Sequence, residues 1–137
     1  MSKPPTIADL TWQHDLVFEA TSATQRMMLD GDSQLALSPI QTLAISLAGC
    51  MAVDVAHILA KGRHPFRAIR AHIVADRAQD TPHRFLKVTL TFTVEGELSS
   101  ESVGRAIALS HDKYCSVWHS MRQDIVLETS FTVSDGL

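Results

Sequence analysis

Residues 38–61 read Ser38-Pro-Ile-Gln-Thr-Leu-Ala-Ile-Ser-Leu-Ala-Gly-Cys-Met-Ala-Val-Asp-Val-Ala-His-Ile-Leu-Ala-Lys61. The stretch carries start and stop signals for a single helix. Ser38 suits the N-cap, Pro39 the first helical position, and Gln41 stands three residues after the serine, as a capping box requires. Lys61 falls in the last turn and Gly62 is the expected C′ residue. At 1.5 Å per residue the helix would span roughly 35 Å, long for a small domain. It is apolar nearly all round, so most of its surface must be covered. The segment from Ile40 to Ala60 also has the length of a membrane span. However, it contains Gln41, Asp54 and His57, and a charge at mid-bilayer costs at least ~2.5 kcal/mol on insertion scales. The reading is therefore a central core helix, with no membrane partner.

Outward from that helix the patterns are mostly of strand type. Leu10 to Glu19 is rich in aromatic and β-branched residues and reads as one strand. A turn at Thr21-Ser-Ala-Thr24 leads to a short strand at Gln25–Leu29, and Asp30-Gly-Asp-Ser33 is a further turn. Beyond the helix, strands are expected at Phe66–Asp76 and Phe85–Val94. In the second, Leu86, Val88, Leu90, Phe92 and Val94 alternate with Lys87, Thr89, Thr91 and Thr93, the period of a half-buried strand. The polar segment 77–83 between them carries Pro82 and reads as a hairpin connection. Glu97-Leu-Ser-Ser-Glu101 opens a second helix with a serine cap, running to about Lys113 on an apolar stripe of Val103, Ala106 and Ile107. A short third helix is expected from Ser116, then a last strand from Ile125 to Val133. The order ββ, long helix, ββ, one or two helices, β predicts an α+β fold with antiparallel strands, in one domain over residues 1–137.

Composition narrows the function classes. Of 137 residues 45% are hydrophobic and 20% charged, and the formal charge of −3 gives no electrostatic reason to bind nucleic acid or an anionic membrane. Met1-Ser-Lys-Pro-Pro lacks the apolar h-region of a signal peptide, so the expected location is cytoplasmic. In that reducing compartment the two cysteines point to redox chemistry or inert packing, not to a permanent bridge.

Those cysteines, Cys50 and Cys115, are the main candidates for chemistry. At 100° per residue Ser46, Cys50, Asp54, His57 and Lys61 share one stripe of the long helix, about a third of its circumference, so Cys50 sits on the face that meets something polar. The competing reading is a small core hydrophobe on a polar seam. A mid-helix thiol gains little from the helix dipole and needs a cation or donors from elsewhere to become a thiolate. Arg26, Arg63 and Arg67 are the candidates, and Asp54 would work against it. Cys115 and His119, four apart, could share a helical face with Cys50 joining them. Even so, the seven histidines are otherwise scattered and no CxxC or HExxH spacing is present, so no metal and no cofactor is expected. Ser110, His111 and Asp112 are consecutive, cannot converge as a triad on one helix, and read as a solvated helix end.

Ser38-Pro-Ile-Gln-Thr-Leu, Leu47-Ala-Gly-Cys50 and Asp54-Val-Ala-His-Ile-Leu-Ala-Lys61 together resemble the OsmC/Ohr family of small redox proteins. In that family a helix opens with proline and carries its first cysteine eleven residues later, the relation of Pro39 to Cys50. Lys113-Tyr-Cys-Ser-Val117 resembles the second cysteine motif, and Pro82-His-Arg-Phe85 the family's histidine-phenylalanine strand start. The resemblance implies an intertwined homodimer with two long central helices between β-sheets. It also implies a thiol-dependent peroxidase acting on organic hydroperoxides or peroxides. By carry-over Cys50 is the attacking thiol, Cys115 the resolving thiol and Arg26 the arginine of the matching region, with a thiol or dihydrolipoyl compound as reductant. The family's enzymes have a glutamate in the first turn after the proline to pair with that arginine. Here Ile40 and Gln41 stand there, which places the chain nearer the OsmC-like branch. The alternative is a non-catalytic redox-responsive or ligand-binding module on the same scaffold.

Overall fold

In the computed structural model, which describes residues 2–135, the chain is α+β and forms two compact units, the first running to Leu43 and the second from Ala44. The first unit holds a three-stranded antiparallel meander of β1 (Asp9–His14), β2 (Val17–Ser22) and β3 (Gln25–Asp30). The expected single strand over residues 10–19 is in fact a hairpin. Asp15 takes a positive φ of 47°, and Trp12 Nε1 donates to its carbonyl oxygen at 2.8 Å, so the chain reverses inside an unbroken strand-forming pattern. Strand propensity marks extended backbone and is silent about a two-residue reversal without glycine or proline.

After β3 the buried carboxylate of Asp30 organises the chain. It accepts backbone N–H bonds from Asp32, Gln34 and Leu35 at 2.9–3.1 Å, which hold its carboxyl below the usual carboxylate range, that of Leu35 contributing most. This loop delivers Ser38, and the expected capping box forms there. Gln41 N–H donates to Ser38 Oγ at 3.3 Å, and Ser38 N–H donates to Gln41 Oε1 at 2.9 Å. Helix α1 then runs from Pro39 to Lys61, as read from the sequence.

The second unit takes most of α1, then β4 (Ala68–Arg77), β5 (Phe85–Glu95), α2 (Ser100–Leu109), a π-helical turn over Ser110–Tyr114, the short α3 (Ser116–His119) and β6 (Val126–Ser134). Leu47, Met51, Val55 and Leu59, spaced four apart on α1, are fully buried, as are Val88, Leu90, Phe92 and Val94 on β5. By length and apolar composition α1 could cross a membrane. Here its buried stripe belongs to the core of the folded α+β unit.

Three sequence expectations are corrected in this unit. The αL residue that ends α1 is Arg63 (φ 59°), not Gly62, whose N–H still bonds to Ile58 O. A Cβ at position 62 would stand 2.8 Å from the His64 ring, which would have to shift to admit it. Leu86, expected to face inward with Val88, is 41% exposed. The register slips where Asp76 pairs with Lys87 but Arg77 with Phe85, so Leu86 is the extra residue of a bulge and turns outward. Finally, β5 pairs with β4 in antiparallel but with β6 in parallel, in the order β4-β5-β6. The α2–α3 segment supplies the crossover that a parallel pair requires. Gly104 lets α2 approach β6, since a Cβ there would stand 3.2 Å from the Phe131 ring.

Candidate functional site

The stripe read from the sequence of α1 meets a polar partner, though only in part. Ser46, His57 and Lys61 are exposed, whereas Cys50 and Asp54, one turn apart, are half-buried. Opposite them comes the segment after α2. Helix α2 opens as expected with Ser99 as N-cap, accepting from the Ser102 N–H at 3.1 Å. It does not continue as an α-helix to Lys113. From Ser110 the chain widens into one π turn, which closes with the Cys115 N–H bonded to Ser110 O at 2.8 Å. Single π turns are common at functional sites because they rotate side chains off the ordinary helical positions.

That rotation sets two residues. Ser110 is fully buried, and its hydroxyl donates to Asp54 Oδ2 at 2.8 Å. Cys115 caps the short α3: its backbone is extended, its side chain is fully buried, and its Sγ accepts from the Trp118 N–H at 3.3 Å. The result is a compact group in which Cys50 Sγ, Cys115 Sγ and a carboxylate oxygen of Asp54 all lie within 4.8 Å of one another. Both thiols are free. Two cysteines 65 positions apart are thus brought together, which neither helix alone could achieve. A disulfide needs sulfurs at about 2.05 Å, so closure asks the two sulfurs to approach further.

The two thiols differ. Burial pushes the Cys115 thiol up to about 11, with the neighbouring Cys50 adding to the rise and the Trp118 N–H opposing it. Cys115 is therefore held as a neutral thiol at physiological pH, and Cys50 is the more accessible sulfur. Reactive cysteines are partly exposed, whereas fully buried ones are inert until a partner reaches them.

The other sequence candidates are placed as follows. Arg26 lies on β3 with its Nη1 3.8 Å from Glu19 Oε2 on β2, a loose and largely exposed cross-strand pair. Gln41 is used in the helix cap, and its Oε1 also accepts from Ser33 Oγ at 2.6 Å. Arg67 donates to the Asp135 carbonyl. His119 does not join the sulfurs: its Nε2 donates to the His111 carbonyl at 3.0 Å. His111 pairs with Asp112 at 2.7 Å and stacks on Trp118 at 6.0 Å. Ser110 is a correction, since it belongs to the buried site and not to a solvated helix end. Asp112 and Lys113, which follow it within the same π turn, are charged and exposed, and only the geometry of that turn separates its direction from theirs.

The model of the OsmC-like protein family matches residues 30–130, a span that contains α1 and both cysteines. The chain belongs to the OsmC-like family. It is 33% identical over 129 residues to the protein YhfA of Escherichia coli K12, covering 92% of this chain and 96% of that one. Among solved structures it is similar to a hypothetical protein from Aquifex aeolicus VF5, with a TM-score of 0.89 at 23% identity, covering 96% and 97% of the two chains. It is also similar to an organic hydroperoxide resistance protein OsmC from Legionella pneumophila, with a TM-score of 0.71 at 16% identity and 97% and 100% coverage. At such identities the structural matches establish a shared OsmC-like fold. Family and paired cysteines together fit a redox role.

Proposed function

We propose that this OsmC-like protein is a thiol-dependent peroxidase that reduces organic hydroperoxides or peroxides through Cys50 and Cys115. The observation that carries this reading is the mutual approach of the two sulfurs inside a partly sheltered polar group. Cys50, the more accessible thiol, attacks the distal oxygen as thiolate. The O–O bond breaks, the alcohol leaves with a proton, and Cys50 becomes a sulfenic acid. Cys115 then attacks the Cys50 sulfur. The S–O bond breaks, the Cys115 proton and the departing hydroxide form water, and a disulfide remains. Asp54 stands beside both sulfurs during this step, with one oxygen held by Ser110. A thiol or dihydrolipoyl reductant returns two electrons and two protons to restore both thiols.

Arg26 is the activating cation of this reading, with its carboxylate partner supplied by Glu19 of β2 in place of a residue in the first turn of α1. Exposed apolar side chains support the homodimer, Ile45 and Val53 on α1 and Leu10 and Trp12 on β1. The expected location is the cytoplasm. Steady-state consumption of cumene hydroperoxide with dihydrolipoamide tests the proposal. Turnover by the wild type and none by Cys50→Ser is expected, while an inactive wild type rejects it.

One observation favours a second reading, a redox-responsive module without efficient turnover. Gln41 is occupied by the cap, and no carboxylate stands at Ile40 or Gln41. Slow stoichiometric oxidation to a Cys50–Cys115 disulfide, without catalysis, is the outcome that would identify it.

A further inference from the structure

The group that joins the sulfurs contains a third donor. Cys50 and Asp54 are four apart on α1 and present Sγ and a carboxylate oxygen on one face, and Cys115 Sγ closes the triangle from the start of α3. In a tetrahedral zinc site, Zn–S bonds of about 2.3 Å and Zn–O bonds of about 2.1 Å put neighbouring donor atoms roughly 3.6–3.8 Å apart. The separations here, none above 4.8 Å, exceed that by about 1 Å at most. We infer that the reduced chain holds one soft divalent cation, Zn²⁺ in the first instance, between Cys50, Asp54 and Cys115.

The surroundings suit such a cation. Two thiolates select zinc over magnesium or calcium, and one carboxylate completes a borderline donor set. Ser110 Oγ on Asp54 Oδ2 orients the carboxylate and leaves its other oxygen for the metal. The Trp118 N–H already points at Cys115 Sγ and would support it as thiolate. The fourth position is left to water, as in three-ligand zinc sites. Both sulfurs bind as thiolates, so metal binding is coupled to proton release. Spacing rules cannot find this site because its third ligand is an aspartate one helical turn from a cysteine, a pairing that no short motif encodes.

The same sulfurs cannot be metal thiolates and a disulfide together. A two-electron oxidant that joins them must expel the ion. With a hydroperoxide the products are the disulfide, an alcohol, water and free Zn²⁺, and two protons are consumed. This coupling to hydroperoxide rests on the peroxidase reading, whereas metal binding does not.

The test uses the full chain, reduced and kept anaerobic, titrated with ZnCl₂ against a chromophoric chelator and separately with Co²⁺. One ion per chain is expected, with a sulfur-to-cobalt charge-transfer band. Cys115→Ser should remove the second thiolate and most of that band. Asp54→Asn, which keeps the shape and an acceptor for Ser110, should retain the band but bind at least about tenfold more weakly. Should Cys115→Ser fail to fold, alkylating Cys50 in the wild type provides the same subtraction. Oxidation by diamide should release one zinc per chain whether or not the protein turns over any hydroperoxide. Zinc held no more tightly than micromolar, or stoichiometric zinc unaffected by losing either sulfur, overturns the inference.

Discussion

The two halves of the site are built on opposite principles. Cys50 and Asp54 sit on an unbroken helix with a reciprocal cap at one end, and their relation is the ordinary four-residue periodicity of that helix. Cys115 and Ser110 sit where regular structure fails, at the two ends of a π turn between α2 and a single turn of α3. The regular half presents a half-exposed thiol and carboxylate. The irregular half presents a fully buried sulfur and hydroxyl. The difference teaches how a small fold makes two identical side chains chemically unequal: one is left near solvent on a rigid helix, and the other is withdrawn by a local break.

The largest expected effect tests whether that inequality assigns the roles. Under hydroperoxide, Cys50→Ser should lose turnover entirely. Cys115→Ser should complete one turnover and stop, with a sulfenic acid at Cys50 that dimedone traps and mass spectrometry locates. If the two variants behave alike, the division into attacking and resolving thiols is wrong.

Next in size is the bond that ties the halves together. Ser110→Ala removes the hydroxyl from Asp54 Oδ2. A hydrogen bond to a charged group contributes about 1.5–3 kcal/mol, and half-burial of Asp54 lets water replace part of it. A loss of about 1 kcal/mol in urea denaturation is expected, together with slower disulfide formation. Unchanged values for both would make the contact incidental.

A third effect, confined to alkaline pH, follows from the buried thiol. The Cys115 thiol is raised from 9.0 in the unfolded chain to about 11 in the folded one, chiefly by burial. The folded state therefore binds the proton more tightly. Its contribution to stability is fully present below pH 9.0 and is lost as pH rises towards about 11. The reduced wild type should lose stability across that interval relative to Cys115→Ala, measured by denaturant midpoints at each pH. A parallel dependence in the two proteins would show that the burial of Cys115 has no proton linkage.

The smallest effect concerns Arg26. Its pair with Glu19 is exposed and long at 3.8 Å, and such pairs are worth about 0–1 kcal/mol. Glu19→Gln should shift the denaturation midpoint hardly at all. A clear fall in hydroperoxide turnover at unchanged stability would favour Arg26 as the activating cation, and unchanged turnover would remove it.

Much of the regular half was legible beforehand. Ser38, Pro39 and Gln41 announce the helix start, and alternation along residues 88–94 announces the buried face of β5, because both follow from backbone periodicity and local hydrogen bonding. The hairpin at Asp15, the bulge at Leu86 and the αL residue at Arg63 were not legible. Each is a one- or two-residue departure within a continuous pattern, and each occurs at a residue type that the departure does not require. The direction of Ser110 was hidden for the same reason, and with it the polar partner of Asp54.

By itself the sequence determined an α+β chain built around one long capped helix, with a cysteine and an aspartate one turn apart on its polar stripe. These are consequences of periods of 3.6 and 2 acting over short range. Only the tertiary structure decided that Cys115 lies beside them, that Ser110 holds Asp54, and that one thiol is buried while the other is not. Those facts depend on where a single widened helical turn points its side chains, and no local pattern of residues fixes that direction.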